Sequence, residues 1–215
     1  MSFYFLIYIF LIAAGFTASI MNRRQLSTAD TCISILLLVT FISEILNHFS
    51  PVFFHNNGMF IFHIFTPVEF LLISLYYNSS IPGLRRSNIG VIIGLAGLAI
   101  AIGNALFFQD TSQLNSLMLL FEGFFTIALS LFALYNLLMQ EEVNLKKSAH
   151  FWFSVFLLIY FAFTFTRWGV FYLYGTHSNS GALLLGYLHW GINVLFYGSF
   201  FIVFLNYRKL IPSGE

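Results

Sequence analysis

Ten polar or ionisable residues lie inside long apolar runs of the 215-residue chain, and they are the side chains that could do chemistry. They are Glu44, Asn47, His48, His63, Glu69, Asn104, Glu122, Arg167, His189 and Asn193. Carboxylates and imidazoles bind protons, cations and divalent metals, and they act as general acids and bases. An ionisable side chain near the bilayer centre costs about 2.5–3.5 kcal/mol on insertion scales, so each needs a compensating role. We predict that these residues line one ligand-binding pocket.

The depths of these residues within their runs place them in one layer. With a rise of about 1.5 Å per residue, Glu69 and Asn193 come near the middle of their runs. Six others lie roughly 6–10 Å toward one side of the membrane: Glu44, Glu122, Arg167, His189, His63 and Asn104. Spacings of three and four residues place Glu44, Asn47 and His48 on one helical face. The layer therefore predicts a pocket that opens to one side of the membrane.

The charges of this layer do not balance. Three carboxylates face a single guanidinium, that of Arg167, so the formal charge of the layer is negative. In a low dielectric the excess must be offset by protons, by imidazolium or by a bound cation. Two structural alternatives remain open. His48 and His63 could be interhelical hydrogen-bond donors, and Glu44 or Glu122 could form a buried ion pair with Arg167.

The composition indicates what surrounds the layer. Hydrophobic residues make up 59% of the chain and charged residues 8%, against about 25% charged in an average soluble domain. So few charges cannot cover a surface in water, which excludes a cytosolic enzyme. A net charge of +1 offers no basic surface for nucleic acid. The single cysteine, Cys32, allows neither an internal disulfide nor a thiolate metal cluster.

Seven apolar runs, each about 20 residues long, divide the chain. Their approximate bounds are 3–21, 31–50, 59–78, 88–107, 114–138, 150–173 and 181–206. Helices of this length cross a hydrocarbon core of about 30 Å, and they satisfy their own backbone hydrogen bonds in lipid. We predict an all-α, polytopic membrane protein. Residues 1–215 would form a single bundle of seven transmembrane helices, with no soluble domain.

The basic residues predict the orientation of the bundle. Four pairs fall on one side, and this side is expected to be cytoplasmic. They are Arg23 with Arg24, Arg85 with Arg86, Lys146 with Lys147, and Arg208 with Lys209. The opposite loops contain His55, Asp110 and His177 but no Lys or Arg. The N-terminus is therefore predicted outside and the C-terminus inside, in the cell membrane.

Three functions fit a polar layer of this kind. The first is a sensor that binds a small ligand, proton or cation from outside and signals to a cytoplasmic-side partner. The second is a metal-dependent lipid hydrolase or oxidase. A divalent metal would then be held among Glu44, Glu69, Glu122, His63 and His189, although HExxH and multiple histidine boxes are absent. The third is a transporter of a small solute or protons. Against it, the inner halves of the spans contain no ionisable path. No span contains a lysine, so a retinal Schiff base is excluded.

Several short segments carry a resemblance to a known kind of protein. They are ISEIL around Glu44, FHIFTPVEF with His63 and Glu69, FEG at Glu122, FWFSVFLLIYF, and LHWGINVLF with His189 and Asn193. Together they resemble an uncharacterised family of small bacterial seven-span membrane proteins. This family is similar to membrane regions associated with histidine-kinase signalling. The resemblance implies a sensing role in the bacterial cytoplasmic membrane. A sensor of this kind would need a cytoplasmic-side signalling partner, and an oligomer is compatible with the sequence.

Overall fold

A computed structural model of the chain describes residues 3–53, 58–140, 144–174 and 179–210. These residues form α-helices joined by turns, with two short 3-10 segments and no strand among them. The helices are α1 (Phe3–Met21), α2 (Thr28–Phe53), α3 (Met59–Ser80), α4 (Pro82–Ser87), α5 (Ile89–Phe107), α6 (Ser116–Leu138), α7 (Ala149–Tyr174) and α8 (Asn179–Leu205). Of the predicted outer loops, His55 and His177 lie outside the described residues.

Six helices are long and apolar enough to cross a membrane. The segments are Thr28–Val52, Met59–Ser80, Ile89–Phe107, Ser116–Leu138, Ala149–Val170 and Gly186–Leu205. Helix α1 contributes a shorter apolar stretch, Phe5–Met21. The prediction of an all-α, multi-pass protein embedded in lipid is thereby confirmed. Its finer parts, seven spans and an outside N-terminus, stay predictions.

The helix ends differ from the predicted spans where local hydrogen bonds extend or interrupt a helix. Helix α2 begins three residues before the predicted span, because the Ser27 hydroxyl accepts from the Asp30 amide at 3.1 Å and donates to its carboxylate at 2.7 Å. A six-residue helix, α4, was not predicted. It starts at Pro82, whose fixed φ suits the first helical position. Asn88 ends it in the left-handed region, with φ at 53°.

The chain divides into two compact units, which are described separately. The continuous unit is Leu26–Glu122 and comprises α2 to α5 with the first turns of α6. The split unit joins Met1–Gln25 to Gly123–Glu215, and it comprises α1, most of α6, α7 and α8. The boundary between Glu122 and Gly123 falls within α6.

Glycines bring two helices of the continuous unit close together. Helix α3 packs against α2 on one side and α5 on another. A Cβ atom added to Gly90 of α5 would lie 2.6 Å from Cβ of Asn78 and 2.7 Å from the carbonyl oxygen of Ser74. One added to Gly97 would overlap the Phe70 ring. Small residues permit such close approach in membranes, where van der Waals packing drives helix association. The Gly90 amide also donates to Oδ1 of Asn78 at 3.1 Å.

Aromatic rings pack the split unit. The Tyr160 ring of α7 stacks on Phe196 of α8 at 4.0 Å between centroids, and Phe153 meets Phe200 edge-on at 5.2 Å. Such pairs contribute about 0.5–1.5 kcal/mol beyond their buried area. Helix α1 joins the same core through Tyr8, whose ring lies 5.3 Å from that of Tyr197. The packing of this unit therefore depends on large interlocking side chains.

Candidate functional site

Three carboxyl groups of the continuous unit form what we call the carboxyl row: Glu44, Glu69 and Glu122. Helices α2, α3 and α6 supply one each. Glu69 is 7% exposed, Glu122 is 1% exposed, and Glu44 is half-buried. Glu69 lies within electrostatic range of both Glu44 and Glu122. The charge of Glu69 therefore interacts with that of each of the other two carboxylates.

Among the described residues, the continuous unit has no buried Lys or Arg that could balance Glu69 and Glu122. The described Lys and Arg residues of this unit are Arg85 and Arg86, and both are exposed on α4. Within the described chain no donor lies within hydrogen-bond distance of Oε1 of Glu122. Burying an ionised carboxylate without a partner is costly, and like charges in a low dielectric cannot all remain ionised. The row is thus suited to binding protons or a cation.

His63 lies on α3, six residues before Glu69, and bonds to a loop at the predicted outer end. Its Nε2 lies 3.0 Å from the backbone oxygen of Gln113, and it must be the donor because a carbonyl only accepts. In neutral imidazole the lone pair is then on Nδ1. That nitrogen is buried, and no described group lies within hydrogen-bond distance of it. Within the described chain, hydrogen bonding therefore holds the His63 ring through one nitrogen only.

Asp110 places a negative charge in the same loop. Its carboxylate lies within electrostatic range of His63. The Ser112 amide donates to its Oδ1 at 2.8 Å, and this bond lowers the pKa of Asp110 because it stabilises the charged form. Asp110 is fully exposed to solvent. It therefore gives the loop beside His63 a negative charge that faces water.

Asn104 has a structural role that its position within an apolar run did not predict. Its Nδ2 donates to Oε1 of Gln109 and to Oδ1 of Asn115, both at 2.9 Å. Gln109 in turn donates to the hydroxyl of Ser116 at 2.8 Å. These bonds fold the 108–115 loop onto the end of α5, so both N–H groups of the predicted pocket residue Asn104 are taken.

Two other predicted residues, Asn47 and His48, lie in the last two turns of α2. A Cβ on Gly58, which has φ of 72°, would overlap the Oγ of Ser50 and lie 2.5 Å from Oδ1 of Asn47. The His48 ring meets Phe49 edge-on at 5.1 Å. Asn47 therefore packs closely against the start of α3, where only glycine fits the left-handed conformation without strain.

The remaining predicted residues belong to the split unit. The Arg167 guanidinium lies 4.3 Å from the centroid of the Trp168 ring, a cation–π contact. His189 lies within electrostatic range of Arg167, and its Nε2 is 3.3 Å from Nδ2 of Asn193. Among the described atoms, Nη1 of Arg167, Nδ1 of His189 and Oδ1 of Asn193 are buried without a hydrogen-bond partner. The pairing of Arg167 with a carboxylate would connect the two units, and it stays a prediction.

The predicted metal ligands do not converge in the described residues. No group of three or more His, Cys, Asp or Glu side chains there is arranged to hold a metal ion. This set includes the five residues that the metal-dependent alternative would use: Glu44, Glu69, Glu122, His63 and His189. The geometry therefore gives no support to that alternative.

An apolar groove lies along α2 and α3, the helices that carry Glu44 and Glu69. The groove measures about 280 Å³ and is lined by α2 and α3, with Ser43 as its sole hydroxyl residue. None of the ten predicted site residues lines it. Its walls include Ile42 and Ile64, which are 48% and 63% exposed. It is a lipid-facing groove and is distinct from the predicted polar pocket.

One buried residue of the continuous unit was missed by the sequence reasoning. Thr66 is fully buried on α3, and in the described chain its hydroxyl has no hydrogen-bond partner. It lies three residues after His63 and three before Glu69, so helical spacing alone could have grouped the three. A threonine in an apolar run did not stand out because its hydroxyl commonly bonds to the backbone of its own helix.

Comparison with family models, curated proteins and solved structures finds no match to this chain.

Proposed function

We propose that this protein is an integral membrane sensor of the bacterial cytoplasmic membrane. It binds a small ligand, a proton or a cation in an outward-facing polar pocket, and it signals to a cytoplasmic-side partner. The proposed bundle has seven transmembrane helices, with the N-terminus outside and the C-terminus inside. Association into an oligomer is compatible with this proposal.

The carboxyl row is the observation that carries the proposal. Two of its three groups, Glu69 and Glu122, are nearly inaccessible, and Oε1 of Glu122 has no partner among the described residues. A row that served only packing would be expected to contain a balancing cation. Because no described Lys or Arg of the continuous unit is buried, occupancy by a proton or ligand is the simplest source of balance for Glu69 and Glu122.

A route from the row to the predicted inner face supports the signalling step. Helix α3 carries Glu69 and continues to Ser80, after which α4 presents Arg85 and Arg86 at the surface. Leu84 of α4 is buried, so the short helix is anchored and can report a shift of α3. A small displacement at the row could thereby change the basic surface that a partner would contact.

A label on α4 tests the proposal. The single native thiol is removed by Cys32→Ala, and Ser87→Cys, at an exposed position, receives an environment-sensitive fluorophore. We expect its emission to change with pH or with added Na⁺ or Ca²⁺ in the parent, and the change to be lost in Glu69→Gln and Glu122→Gln. These amides keep side-chain shape while removing charge. Unchanged emission in the parent, with folding intact, would refute a sensing role for the row.

Cysteine accessibility tests the orientation. In the Cys32→Ala background, Ser112→Cys and a cysteine at position 55 should react with an impermeant reagent added outside. Lys146→Cys should react only after the membrane is opened. Reaction of positions 112 and 146 from the same side would overturn the proposed topology.

The composition of the purified protein distinguishes the sensor from the enzyme. Elemental analysis together with a native mass spectrum should show no stoichiometric zinc or iron if the sensor proposal holds. A stoichiometric metal that disappears on Glu122→Gln would instead favour the metal-dependent hydrolase or oxidase.

A further inference from the structure

Helices α1 and α8 of the split unit run parallel and end side by side. The rings of Tyr8 and Tyr197 lie 5.3 Å apart between centroids. Further along both helices, Nδ2 of Asn22, directly after α1, donates to the backbone oxygen of Phe204 at 2.8 Å. The contact at Asn22 therefore brings together the two basic pairs that follow these helices. They are Arg23 with Arg24, and Arg208 with Lys209.

Asn22 holds one of these guanidinium groups in place. It is 8% exposed, and its Nδ2 donates a second hydrogen bond to the backbone oxygen of Ala18 at 2.9 Å. Both of its N–H groups are thus taken, and its Oδ1 accepts from Nε of Arg208 at 3.3 Å. This bond uses one of the five N–H donors of a guanidinium and leaves the four on Nη1 and Nη2 for other acceptors. Because Arg208 is exposed, these four form an oriented fork of the kind that binds a phosphate through two parallel hydrogen bonds.

A third basic pair reaches this end of the unit from α7. The ring of Phe153, near the start of α7, lies 5.2 Å from that of Phe204. Lys146 and Lys147 belong to the 3-10 segment just before α7, and the backbone oxygen of Lys146 accepts from the indole of Trp152 at 3.0 Å. Tryptophan is enriched at the level of lipid headgroups. All three pairs lie within four residues of the end of an apolar helix, so the bilayer places them at that same level.

The three pairs give this end of the split unit six exposed positive charges. The described part of the unit contains no Asp or Glu to balance them. We propose that this end binds the headgroup of an anionic phospholipid, with its phosphate on Arg208 and the neighbouring Arg23–Arg24 pair. The lysines add attraction for an anionic leaflet. This inference does not depend on the proposed sensing function, and under the proposed orientation the lipid belongs to the inner leaflet.

Basic pairs also set membrane topology, so their charge alone does not define a lipid site. The Arg85–Arg86 pair of α4 illustrates the difference. It is exposed on the same predicted side, but it is a single pair and belongs to the continuous unit. The end of the split unit differs because three pairs converge there and a buried amide orients Arg208. Arg86 is therefore the matched control for Arg208.

Native mass spectrometry of the full chain tests lipid binding. The protein in alkyl maltoside micelles is titrated with phosphatidylglycerol or with phosphatidylcholine of the same acyl chains. We expect the parent to bind phosphatidylglycerol about tenfold more tightly, since several basic residues attract the anionic lipid together. Equal retention of the two lipids, or no retained phosphatidylglycerol, would overturn the proposal.

Substitutions at Arg208 test the fork, with helix content checked by circular dichroism. Arg208→Gln should weaken phosphatidylglycerol binding by about tenfold, the size of a lost charge-assisted hydrogen bond. Arg208→Lys keeps the charge but loses the planar fork, so it should weaken binding nearly as much. Arg86→Gln removes the same charge elsewhere and should leave binding nearly unchanged. Equal losses in Arg208→Gln and Arg86→Gln, or parent-like binding by Arg208→Lys, would refute a phosphate held by this fork.

A soluble competitor distinguishes a lipid from a free phosphate ester. Glycerol 3-phosphate carries a phosphate ester but has no acyl chains to lie against the apolar helices. In large excess it should leave phosphatidylglycerol bound to the parent. If it displaces the lipid, and binds the parent but not Arg208→Gln, the site takes a soluble phosphate ester and the lipid proposal fails.

Discussion

The two units differ in both the charges they contain and the way they pack. The continuous unit holds all five described acidic residues: Asp30, Glu44, Glu69, Asp110 and Glu122. The described part of the split unit contains none, yet it holds the one guanidinium that lies within a span, that of Arg167. Close glycine contacts pack the continuous unit, whereas aromatic rings pack the split unit.

This difference indicates which unit is built to bind and which to support. Glu69 and Glu122 are buried in a unit whose described Lys and Arg residues are all exposed, and their burial costs free energy that a ligand or protons can recover. In the split unit Arg167 has an aromatic ring as a partner, which compensates part of the cost of its burial. We therefore propose that the ligand-responsive chemistry belongs to the continuous unit.

The largest expected effect is in the aromatic core of the split unit. Phe200 is fully buried and lies 5.2 Å from Phe153 and 4.5 Å from Phe196, centroid to centroid. Phe200→Ala should lower the free energy of unfolding by about 3–5 kcal/mol, because it leaves a cavity that the rings cannot fill. SDS titration in mixed micelles measures this. Phe124→Ala, at a position in the same unit that is 59% exposed, is the control and should cost much less.

A smaller loss is expected where glycine permits helix contact in the continuous unit. Gly90→Ala would press a methyl group against the backbone of α3 and should destabilise by about 1–3 kcal/mol. Gly103→Ala on the same helix is the control, since no atom lies within 4 Å of its added Cβ. It should be neutral or slightly stabilising, because alanine favours helix by up to about 1 kcal/mol. Equal losses in both variants would show that close packing does not distinguish this unit.

The sequence predicted the helices well because lipid imposes a simple rule. Every apolar run of about 20 residues had to become a helix, and the predicted and observed ends agree within three residues. The helix ends differ from the predicted ones where a side chain caps the helix, as Ser27 does for α2. Helix α4 has six residues, which is too short to show a helical hydrophobic period.

The site was predicted less completely. The free-energy cost of burying charge identified the carboxyl row. That cost does not distinguish Asn104, which bonds to the loop that follows it, from residues that face a ligand. Thr66 has no charge, so the cost of burial did not identify it, although it lies three residues from both His63 and Glu69. Which residues of different helices meet depends on helix rotation, and composition does not determine that rotation.

A double-mutant cycle tests whether charge links the two units. The sequence predicts that Arg167 pairs with a carboxylate of the row. If so, the stability losses of Arg167→Gln and Glu122→Gln should be less than additive, with a coupling of about 0.5–3 kcal/mol. The control cycle combines Arg167→Gln with Asp30→Asn, since Asp30 is bonded to Ser27 at the start of α2. Equal coupling in both cycles would contradict a specific pair.

The smallest effect concerns Asp110, the acidic group of the continuous unit that faces water. Its pKa is lowered in the folded loop because the Ser112 amide stabilises the carboxylate, so the bond favours folding most above the ordinary pKa of aspartate. That contribution disappears as the pH falls through the lowered folded-state pKa.

Asp110→Asn should therefore reduce Tm slightly at neutral pH and leave it unchanged in strong acid, where the parent carboxyl is also neutral. Screening by solvent keeps the effect small. Thermal unfolding across this pH range measures it, with Ser116→Ala as a control that removes an uncharged hydrogen-bonding group from the same loop. A Tm difference between parent and Asp110→Asn that stayed constant into strong acid would mean that the carboxylate contributes through packing rather than through its charge. The contrast between an exposed acid and the buried row would then need another explanation.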